Sequence, residues 1–209
     1  PVIPIWSNKT MTNTLPSLIL ASSSKYRKMM LERFGIPFAT HSPAIDESAK
    51  PGETPVDLAI RLAIEKAQAI SQQFPGAIVI GSDQVATLGL EPIGKPGSFV
   101  KAQQQLRQLS GQHVQFHSAL AVTNGEELRY ANIITHCYFR TLTEAEIEHY
   151  LRVEEPFDTA GSAKAEALGI TLMDKMTSDD PTAIIGLPLI ELAKILREFG
   201  INPTLQASV

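Results

Sequence analysis

The sequence AIVIGSDQ, at residues 77–84, indicates a strand buried at the centre of a sheet. Its first four residues are all apolar, which is typical of a strand covered by helices on both faces. Gly81, Ser82 and Asp83 follow this apolar run, so we expect the strand to end there. Because ligands of open α/β sheets bind where strands end, the Asp83 carboxylate is predicted to orient a water molecule or hold a divalent cation. An aspartate that caps a turn is the alternative.

The segments on both sides of this strand alternate between strand and helix patterns. Residues 18–21 form an apolar run that is followed by serines and by a helix ending at Gly35. Farther along the chain, Ser98 is the predicted N-cap of a helix, and Pro188 opens the last helix. Such alternation predicts an α/β fold.

A longer antiparallel pair is predicted in the second half of the chain. Residues 114–123 and 128–140 carry strand patterns, and an Asn-Gly turn at residues 124–125 separates them. These parts together predict a mixed, twisted central sheet flanked by helices. We expect a single domain over residues 18–205. Residues 1–17 lack sustained periodicity and are expected to be a disordered or non-native extension.

Length and composition limit the classes of protein to which this chain can belong. With 209 residues, 44% of them hydrophobic, it is long enough for one sizeable core. A formal net charge of -4 argues against a nucleic-acid-binding protein that relies on general basicity. Cys137 is the single cysteine, and no apolar run reaches the roughly 20 residues that span a bilayer. Since a signal-peptide pattern is also missing, we expect a cytoplasmic protein that binds neither nucleic acid nor membrane.

One lysine interrupts the apolar face of the helix predicted at residues 55–73. Lys66 shares this face with small and aliphatic residues, namely Ala59, Leu62, Ala63, Ala69 and Ile70. Because burial of an unpaired charge is unfavourable, the Lys66 ammonium must extend back to water or insert into a polar pocket. Arg27 begins the apolar face of the first helix in the same way.

The serines at residues 22–24 precede the helix that carries Arg27. Free N–H groups at a helix start attract anions, and the hydroxyl groups of Ser22 and Ser24 add further donors. An arginine can also bind two phosphate oxygens at once. The segment therefore predicts a phosphate site, although it lacks the P-loop pattern. A serine N-cap beside a surface basic cluster is the alternative interpretation.

Charged residues in two other loops complete a candidate site. Asp46 and Glu47 follow a weak extended segment, and Lys95 lies between Gly94 and Pro96. Each of these charges alone is typical of an ordinary protein surface. Together with the basic and acidic residues above, they predict a site for a metal-bound polyphosphate. The five histidines do not show the helical spacing of zinc ligands.

Six short segments, in this order, resemble those of the Maf family of nucleotide pyrophosphatases. They are LILASSS at residues 18–24 with Arg27, Asp46-Glu47, Glu65-Lys66-Ala67, Gly81-Ser82-Asp83, Gly94-Lys95-Pro96 and Gly186-Leu187-Pro188. The resemblance covers nearly all of the chain after residue 17. It implies a Maf/ITPase-like fold and hydrolysis of a nucleoside triphosphate to the monophosphate and pyrophosphate, with Mg²⁺ or Mn²⁺ as cofactor. It also implies that Asp83 is the proton acceptor.

Further matches indicate the branch of the family that acts on 7-methyl-GTP. Residues 160–169 resemble the corresponding segment of this branch. Its specificity positions match Tyr26, Gln84 and Glu166, and the resemblance also implies a substrate contact for Lys164. The methylated base is positively charged, so it would gain from an aromatic face such as Tyr26 and from a carboxylate such as Glu166.

These observations lead to one mechanistic hypothesis. Glu47 and Asp83 hold a metal that bridges the triphosphate. Three basic residues neutralise the phosphate oxygens: Arg27, Lys66 and Lys95. Asp83 activates the water that attacks the α-phosphorus, and pyrophosphate leaves. Such an enzyme would remove modified nucleotides from the cell.

Two alternative functions are open at this point. The first is a Maf-type pyrophosphatase for dTTP, UTP or another modified nucleotide. The second is a non-catalytic nucleotide-binding regulator of cell division. The retained acids disfavour the second, since binding alone does not need the acid that positions water. The sequence does not determine the oligomeric state, and a homodimer is one option.

Overall fold

The computed structural model describes residues 16–208, which form one mixed sheet with helices on both faces. Seven strands make up the sheet within these residues: β1 (Leu18–Leu20), β2 (Ala39–Thr40), β3 (Ile78–Leu88), β4 (Glu91–Ile93), β5 (His113–Thr123), β6 (Leu128–Phe139) and β7 (Met173–Ser178). Their order is β2-β1-β3-β5-β6-β7, and β4 pairs with β3 outside this path. β1 runs parallel to β2 and β3, whereas β3, β5, β6 and β7 are joined by antiparallel pairing. The predicted α/β fold with a mixed sheet is confirmed.

Six α-helices lie within the described residues: α1 (Lys25–Glu32), α2 (Pro55–Gln73), α3 (Phe99–Leu109), α4 (Glu144–Glu154), α5 (Leu189–Glu198) and α6 (Pro203–Gln206). The bounds of α2 coincide with the prediction. The helix begins at Pro55 because the Thr54 side chain caps its first turn. Ser98 caps α3 as predicted. Pro188 precedes α5 as predicted, but the single turn of α6 follows what was expected to be the last helix. Short 3₁₀ turns occur at Ala160–Ser162, Leu168–Leu172 and Ala183–Ile185.

β3 is longer than predicted, and Asp83 lies in its middle rather than at its end. The strand continues to Leu88 because β5 pairs with it from Val79 to Thr87. This antiparallel partner satisfies backbone groups that would otherwise need other hydrogen bonds. Asp83 is therefore a strand residue opposite Ala119, and the alternative of a turn-capping aspartate is excluded.

The opposite edge of β3 is only partly paired. β1 covers it up to Ile80, and β4 covers it from Ala86. Among the described residues, no strand pairs with residues 81–85 on this side. The loop after β1 and the loop after β4 both lead to this opening. Asp83 thus lies beside a gap in the middle of the sheet, and not at the end of a strand as predicted.

Close packing of α2 on the sheet brings Lys66 to this gap. Ala63 and Ala67 are buried against the sheet. A Cβ atom at Gly81 would lie 2.1 Å from the Ala63 carbonyl oxygen, so only glycine fits at this point of contact. Asp83 follows Gly81 on the same face of β3, and Lys66 lies on the same face of α2 as Ala63. The two charged side chains are therefore brought together by backbone packing.

Two backbone hydrogen bonds involve residues just outside the predicted domain of residues 18–205. The expected extension at residues 1–17 falls largely on residues 1–15, which lie outside the described residues. Ser17 already belongs to the sheet region, since its carbonyl oxygen accepts from the Ile78 N–H at 2.8 Å. At the other end, the Ser208 N–H donates to the Gly35 carbonyl oxygen at 2.9 Å. Within residues 16–208, no helix combines the length and apolar character that crossing a membrane requires.

Candidate active site

A cleft with a volume of about 800 Å³ opens at the free edge of β3. The loops after β1 and β4 form part of its walls, together with α2 and the segment around Ala160–Ser162. All predicted site residues except Lys164 line this cleft: Ser22, Ser24, Tyr26, Arg27, Glu47, Lys66, Asp83, Gln84, Lys95 and Glu166. The structure thus brings together charged residues that are far apart in the sequence.

Lys66 bridges two carboxylates inside the cleft. Its Nζ atom lies 2.9 Å from Asp83 Oδ1 and 3.0 Å from Glu47 Oε1. The residue is only 7% exposed, so the ammonium does not extend back to bulk water. The two carboxylates offset the unfavourable burial of the ammonium. Of the two interpretations of Lys66, insertion into a polar pocket is the one that the structure supports.

Arg27 belongs to α1, which packs on the face of the sheet opposite to α2, and it lines the same cleft as Asp83 and Glu47. Its Nε–H donates to the Gly186 carbonyl oxygen at 3.0 Å, which fixes the guanidinium beside the cleft. Burial lowers the pKa of Arg27, while the Asp83 and Glu47 carboxylates act in the opposite direction. The guanidinium nevertheless stays protonated at neutral pH. The segment at residues 186–188 therefore has an identifiable role, because its first carbonyl group positions the arginine.

The serine loop between β1 and α1 is an N-cap that also faces the cleft. Ser24 Oγ accepts from the Arg27 N–H at 3.3 Å, and Ser22 Oγ accepts from the Ser24 N–H at 3.1 Å. The first contact confirms the N-cap interpretation. Each hydroxyl group also has an O–H group to donate, and both residues line the cleft. N-capping and phosphate binding are therefore compatible at this loop.

Gln84 lies on the face of β3 opposite to Asp83. Its Nε2 atom donates to two carbonyl oxygens of the turn Ala183–Ile185, at 3.2 and 3.1 Å, and to Ser118 Oγ at 3.1 Å. Ser82 Oγ lies 2.9 Å from the Ala119 carbonyl oxygen and 3.1 Å from the carbonyl oxygen of Gly186, the residue after this turn, so its single O–H group is shared between the sheet and the turn. These contacts tie the turn to the sheet. This anchor was not predicted from the sequence, although the polar residues inside two apolar strands were a signal for it.

One end of the cleft, formed by Tyr26 and the segment after α4, is more exposed. The Tyr26 O–H donates to Asp158 Oδ2 at 3.3 Å, and Lys25 Nζ lies 4.9 Å from the centre of the Tyr26 ring. The side chains of Lys25 and Asp158 are 70% and 52% exposed. Asp158 was not among the predicted site residues, because a single acid before a glycine-containing loop has no distinctive pattern.

Lys164 is the predicted site residue that the structure places outside the cleft. Its Nζ atom donates to the Glu154 carbonyl oxygen at 2.8 Å, at the C-terminus of α4. A cation at this position is favoured by the helix dipole and by the carbonyl groups that the helix leaves free. Lys164 therefore caps α4 in the structure, and its contact with a substrate stays a prediction.

The donor groups of the cleft suit a metal ion that is shared with a polyphosphate. Within residues 16–208, no three His, Cys, Asp or Glu side chains are grouped so that they could hold a metal. Glu47 and Asp83 offer carboxylate oxygens on either side of Lys66. Mg²⁺ is commonly bound by one or two carboxylates together with substrate phosphates, so this donor set fits such an ion. Cys137 is unsuited, because burial raises the pKa of its thiol to about 12.

The chain is similar to known proteins of one family over most of its length. The family model described as Maf-like protein matches residues 17–199. A 7-methyl-GTP pyrophosphatase of Bordetella avium is 63% identical over 188 residues, which cover 90% of this chain and 95% of that protein. A 7-methyl-GTP pyrophosphatase of Cupriavidus metallidurans is 52% identical over 191 residues, with 90% and 96% covered. A third protein of this name, from Aromatoleum aromaticum, is 51% identical over 186 residues, with 88% and 96% covered.

Proposed function

This chain belongs to the Maf-like protein family, and we propose that it hydrolyses 7-methyl-GTP to 7-methyl-GMP and pyrophosphate. Relatives that carry this activity in their name match nearly the whole chain at 51–63% identity. The enzyme is a nucleotide pyrophosphatase that removes a modified nucleotide, and a cytoplasmic location belongs to the same proposal.

The contact of Lys66 with Glu47 and Asp83 is the observation that carries this proposal. The two carboxylates offset the burial of the Lys66 ammonium, but a buried ion pair adds little net stability compared with apolar packing. We therefore attribute its presence in a cleft to function. Arg27 and Lys95 line the same cleft and add two positive charges. We call this cluster, together with Ser22 and Ser24, the phosphate end of the cleft. Its three cations outnumber its two carboxylates, and a divalent ion held by the carboxylates would add to this positive charge. The ammonium, guanidinium and hydroxyl groups supply hydrogen-bond donors for a triphosphate.

Each residue of the phosphate end has a role in the proposed reaction. A water molecule attacks the α-phosphorus and gives up its proton to the Asp83 carboxylate. The bond between the α-phosphorus and the bridging oxygen breaks, and pyrophosphate leaves with that oxygen. Arg27, Lys66 and Lys95 donate to phosphate oxygens, whose negative charge they stabilise as the transition state forms. The serine loop orients the phosphate chain through its hydroxyl groups.

Glu47 and Asp83 are the residues that would hold a divalent ion, Mg²⁺ or Mn²⁺. An ordinary aspartate, with a pKa of about 3.9, is a weak base at neutral pH. When bound, the ion supplies the missing driving force, because it acidifies a water molecule and neutralises phosphate charge. Lys66 keeps the two carboxylates in place near each other in the free enzyme.

We assign the base to the exposed end of the cleft and call Tyr26, Asp158 and Glu166 its base end. The 7-methylguanine ring is cationic, and a cation gains from an aromatic face and from nearby carboxylates. The contact of the Lys25 ammonium with the Tyr26 ring gives an example of such a preference within the molecule. The Glu166 carboxylate can also accept hydrogen bonds from the N–H groups of guanine.

The proposal is tested by product analysis with wild-type enzyme and the variant Asp83→Asn. Mass spectrometry of a triphosphate panel, containing 7-methyl-GTP, GTP, dTTP and UTP with Mg²⁺ or Mn²⁺, should show 7-methyl-GTP as the preferred substrate. Asp83→Asn should lower turnover by about 10³-fold, since it removes the general base. Comparable turnover would overturn the role of Asp83, and preference for dTTP or UTP would overturn the substrate. Nucleotide binding without release of pyrophosphate would favour a non-catalytic regulator.

A further inference from the structure

A chain of hydrogen bonds links the two ends of the cleft through Gln105, a residue of α3 that does not line the cleft. The Gln105 Nε2 atom donates to the Gly94 carbonyl oxygen at 3.0 Å, next to Lys95 at the phosphate end. Its Oε1 atom accepts from Ser162 Oγ, in the segment that leads to Glu166 at the base end. A primary amide is needed here, because one atom must donate while the other accepts.

Ser162 is held in an uncommon conformation for this contact. The residue has no exposed surface and a φ of 53°, in the left-handed region that non-glycine residues rarely adopt. The conformation is unfavourable by about 1–2 kcal/mol, so surrounding contacts must maintain it. Its carbonyl oxygen accepts from the Tyr150 O–H at 2.9 Å, while its hydroxyl group faces Gln105. The serine thus joins the base-end segment to two helices, α4 and α3.

Two further backbone contacts join the loop that carries Lys95 to the segment after α4. The Gly97 N–H donates to the Phe157 carbonyl oxygen at 2.9 Å, and the Gly161 N–H approaches the Gly94 carbonyl oxygen at 3.4 Å. A Cβ atom at Gly161 would lie 2.9 Å from the Phe116 ring, which lines the cleft. The base-end segment therefore packs against the loop of Lys95 and against the cleft wall.

We propose that Gln105 is a positioning residue, which fixes the distance between Lys95 and the segment that carries Glu166. The inference rests on the proposed function and names an additional determinant of its selectivity. A nucleoside triphosphate must bind the base end and the phosphate end at the same time. Binding of the base therefore brings the α-phosphorus to its reactive position only if the distance between the two ends is fixed. Loss of the bridge lowers the advantage of the correct base over an incorrect one.

The test compares kcat/KM for 7-methyl-GTP and for GTP in three variants. Gln105→Leu removes both hydrogen bonds at similar volume, Ser162→Ala removes one, and Gln104→Leu is the matched control at an exposed position of the same helix. Gln105→Leu and Ser162→Ala should each reduce the ratio of kcat/KM for 7-methyl-GTP to kcat/KM for GTP about fivefold. This is the size expected for the loss of one or two hydrogen bonds. Gln104→Leu should leave this ratio unchanged.

A double variant and a conservative replacement separate positioning from folding. Gln105→Leu combined with Ser162→Ala should add little to either change alone, because both remove the same bridge. If Gln105→Leu fails to fold, Gln105→Glu keeps the acceptor for Ser162, loses the donor for Gly94 and should show a smaller drop in the ratio. Equal losses for both substrates, or a ratio within twofold of wild type in every variant, would overturn the inference. If wild-type enzyme prefers another nucleotide, the proposal of 7-methyl-GTP as substrate is wrong. The role of Gln105 is then tested with the ratio of kcat/KM for the best substrate of the panel to kcat/KM for the poorest.

Discussion

The phosphate end and the base end of the cleft are built from different parts of the fold. At the phosphate end, Lys66 and Asp83 come from the interior of α2 and β3, and their side chains are 9% and 18% exposed. At the base end, Tyr26 lies in the first turn of α1 and Asp158 in a loop after α4. Lys66 and Asp83 are thus fixed by the core, whereas Glu47 and Lys95 extend to the same end from exposed loops. The groups proposed for selectivity all lie at or near the surface.

This difference predicts two kinds of mutational effect. Side chains that are held by the packing of a helix on a strand have closely fixed positions. Stabilisation of the charge that develops in a transition state requires such fixed positions. Side chains on loops tolerate substitution with little effect on the fold. Changes at the phosphate end should therefore reduce turnover of every triphosphate. Changes at the base end should alter which triphosphate is preferred.

The largest effect is expected for Lys66→Met. The substitution removes the cation between Glu47 and Asp83 and a donor to the phosphate oxygens, so kcat/KM should fall about 10³-fold for all triphosphates alike. Steady-state kinetics on 7-methyl-GTP and GTP measure this change. Lys101→Met, at an exposed position of α3, is the control and should retain wild-type activity. A loss confined to one nucleotide would contradict the assignment of Lys66 to the phosphate end.

Gly81→Ala should act on the same end through the backbone. The added methyl group would lie 2.1 Å from the Ala63 carbonyl oxygen, so α2 must move away from the sheet and carry Lys66 with it. We expect the free energy of unfolding to fall by about 3 kcal/mol, together with activity. Gly94→Ala is the stability control, since a methyl group at Gly94 would have no atom within 4 Å. Chemical denaturation of both variants gives the comparison, and equal stability would show that α2 has room to adjust.

Local sequence patterns identified charged residues that line the same cleft in the structure. The stripe of α2 identified Lys66 as a charge on a buried face, and the bounds of that helix follow from the Thr54 cap and Pro55. The sequence could not show that β3 continues beyond Asp83, since pairing with β5 is a non-local contact between distant parts of the chain, such as Asp83 and Ala119. The gap between β1 and β4 that forms the cleft depends on the same pairing.

Selectivity at the base end should be lost by either Tyr26→Ala or Glu166→Ala. Each substitution removes one stabilising contact with a cationic base, and the preference for 7-methyl-GTP over GTP should fall about tenfold. In Tyr26→Ala, hydrolysis of GTP itself should change by less than about threefold, because the phosphate end is unaffected. In Glu166→Ala, hydrolysis of GTP should also fall, but less than that of 7-methyl-GTP, because both nucleotides lose an acceptor for their guanine N–H groups. The ratio of kcat/KM for the two nucleotides is the measurement. An unchanged ratio in both variants would remove the basis for placing the base at this end.

The base end was harder to predict, because Asp158 and Glu166 are exposed and Tyr26 is half-buried, and their contacts depend on loop conformation. Asp158 meets Tyr26 across 132 positions of sequence, and neither residue shows a periodic pattern. Lys164 lies two positions before Glu166 and was expected to contact the substrate, and this contact stays a prediction. In the structure its ammonium donates to the Glu154 carbonyl oxygen at the end of α4.

The smallest effect is expected for Lys164→Met, and it separates a helix cap from a substrate contact. Loss of the cation at the C-terminus of α4 should lower the free energy of unfolding by about 0.5 kcal/mol, the usual size of a charge–dipole interaction at a partly exposed helix end. The preference for 7-methyl-GTP should stay within about twofold of wild type, because the ammonium lies outside the cleft. Lys164→Arg should restore stability, since a guanidinium can donate to the same Glu154 carbonyl oxygen. A change in KM for 7-methyl-GTP that Lys164→Arg does not restore would instead place this side chain at the base end when substrate is bound.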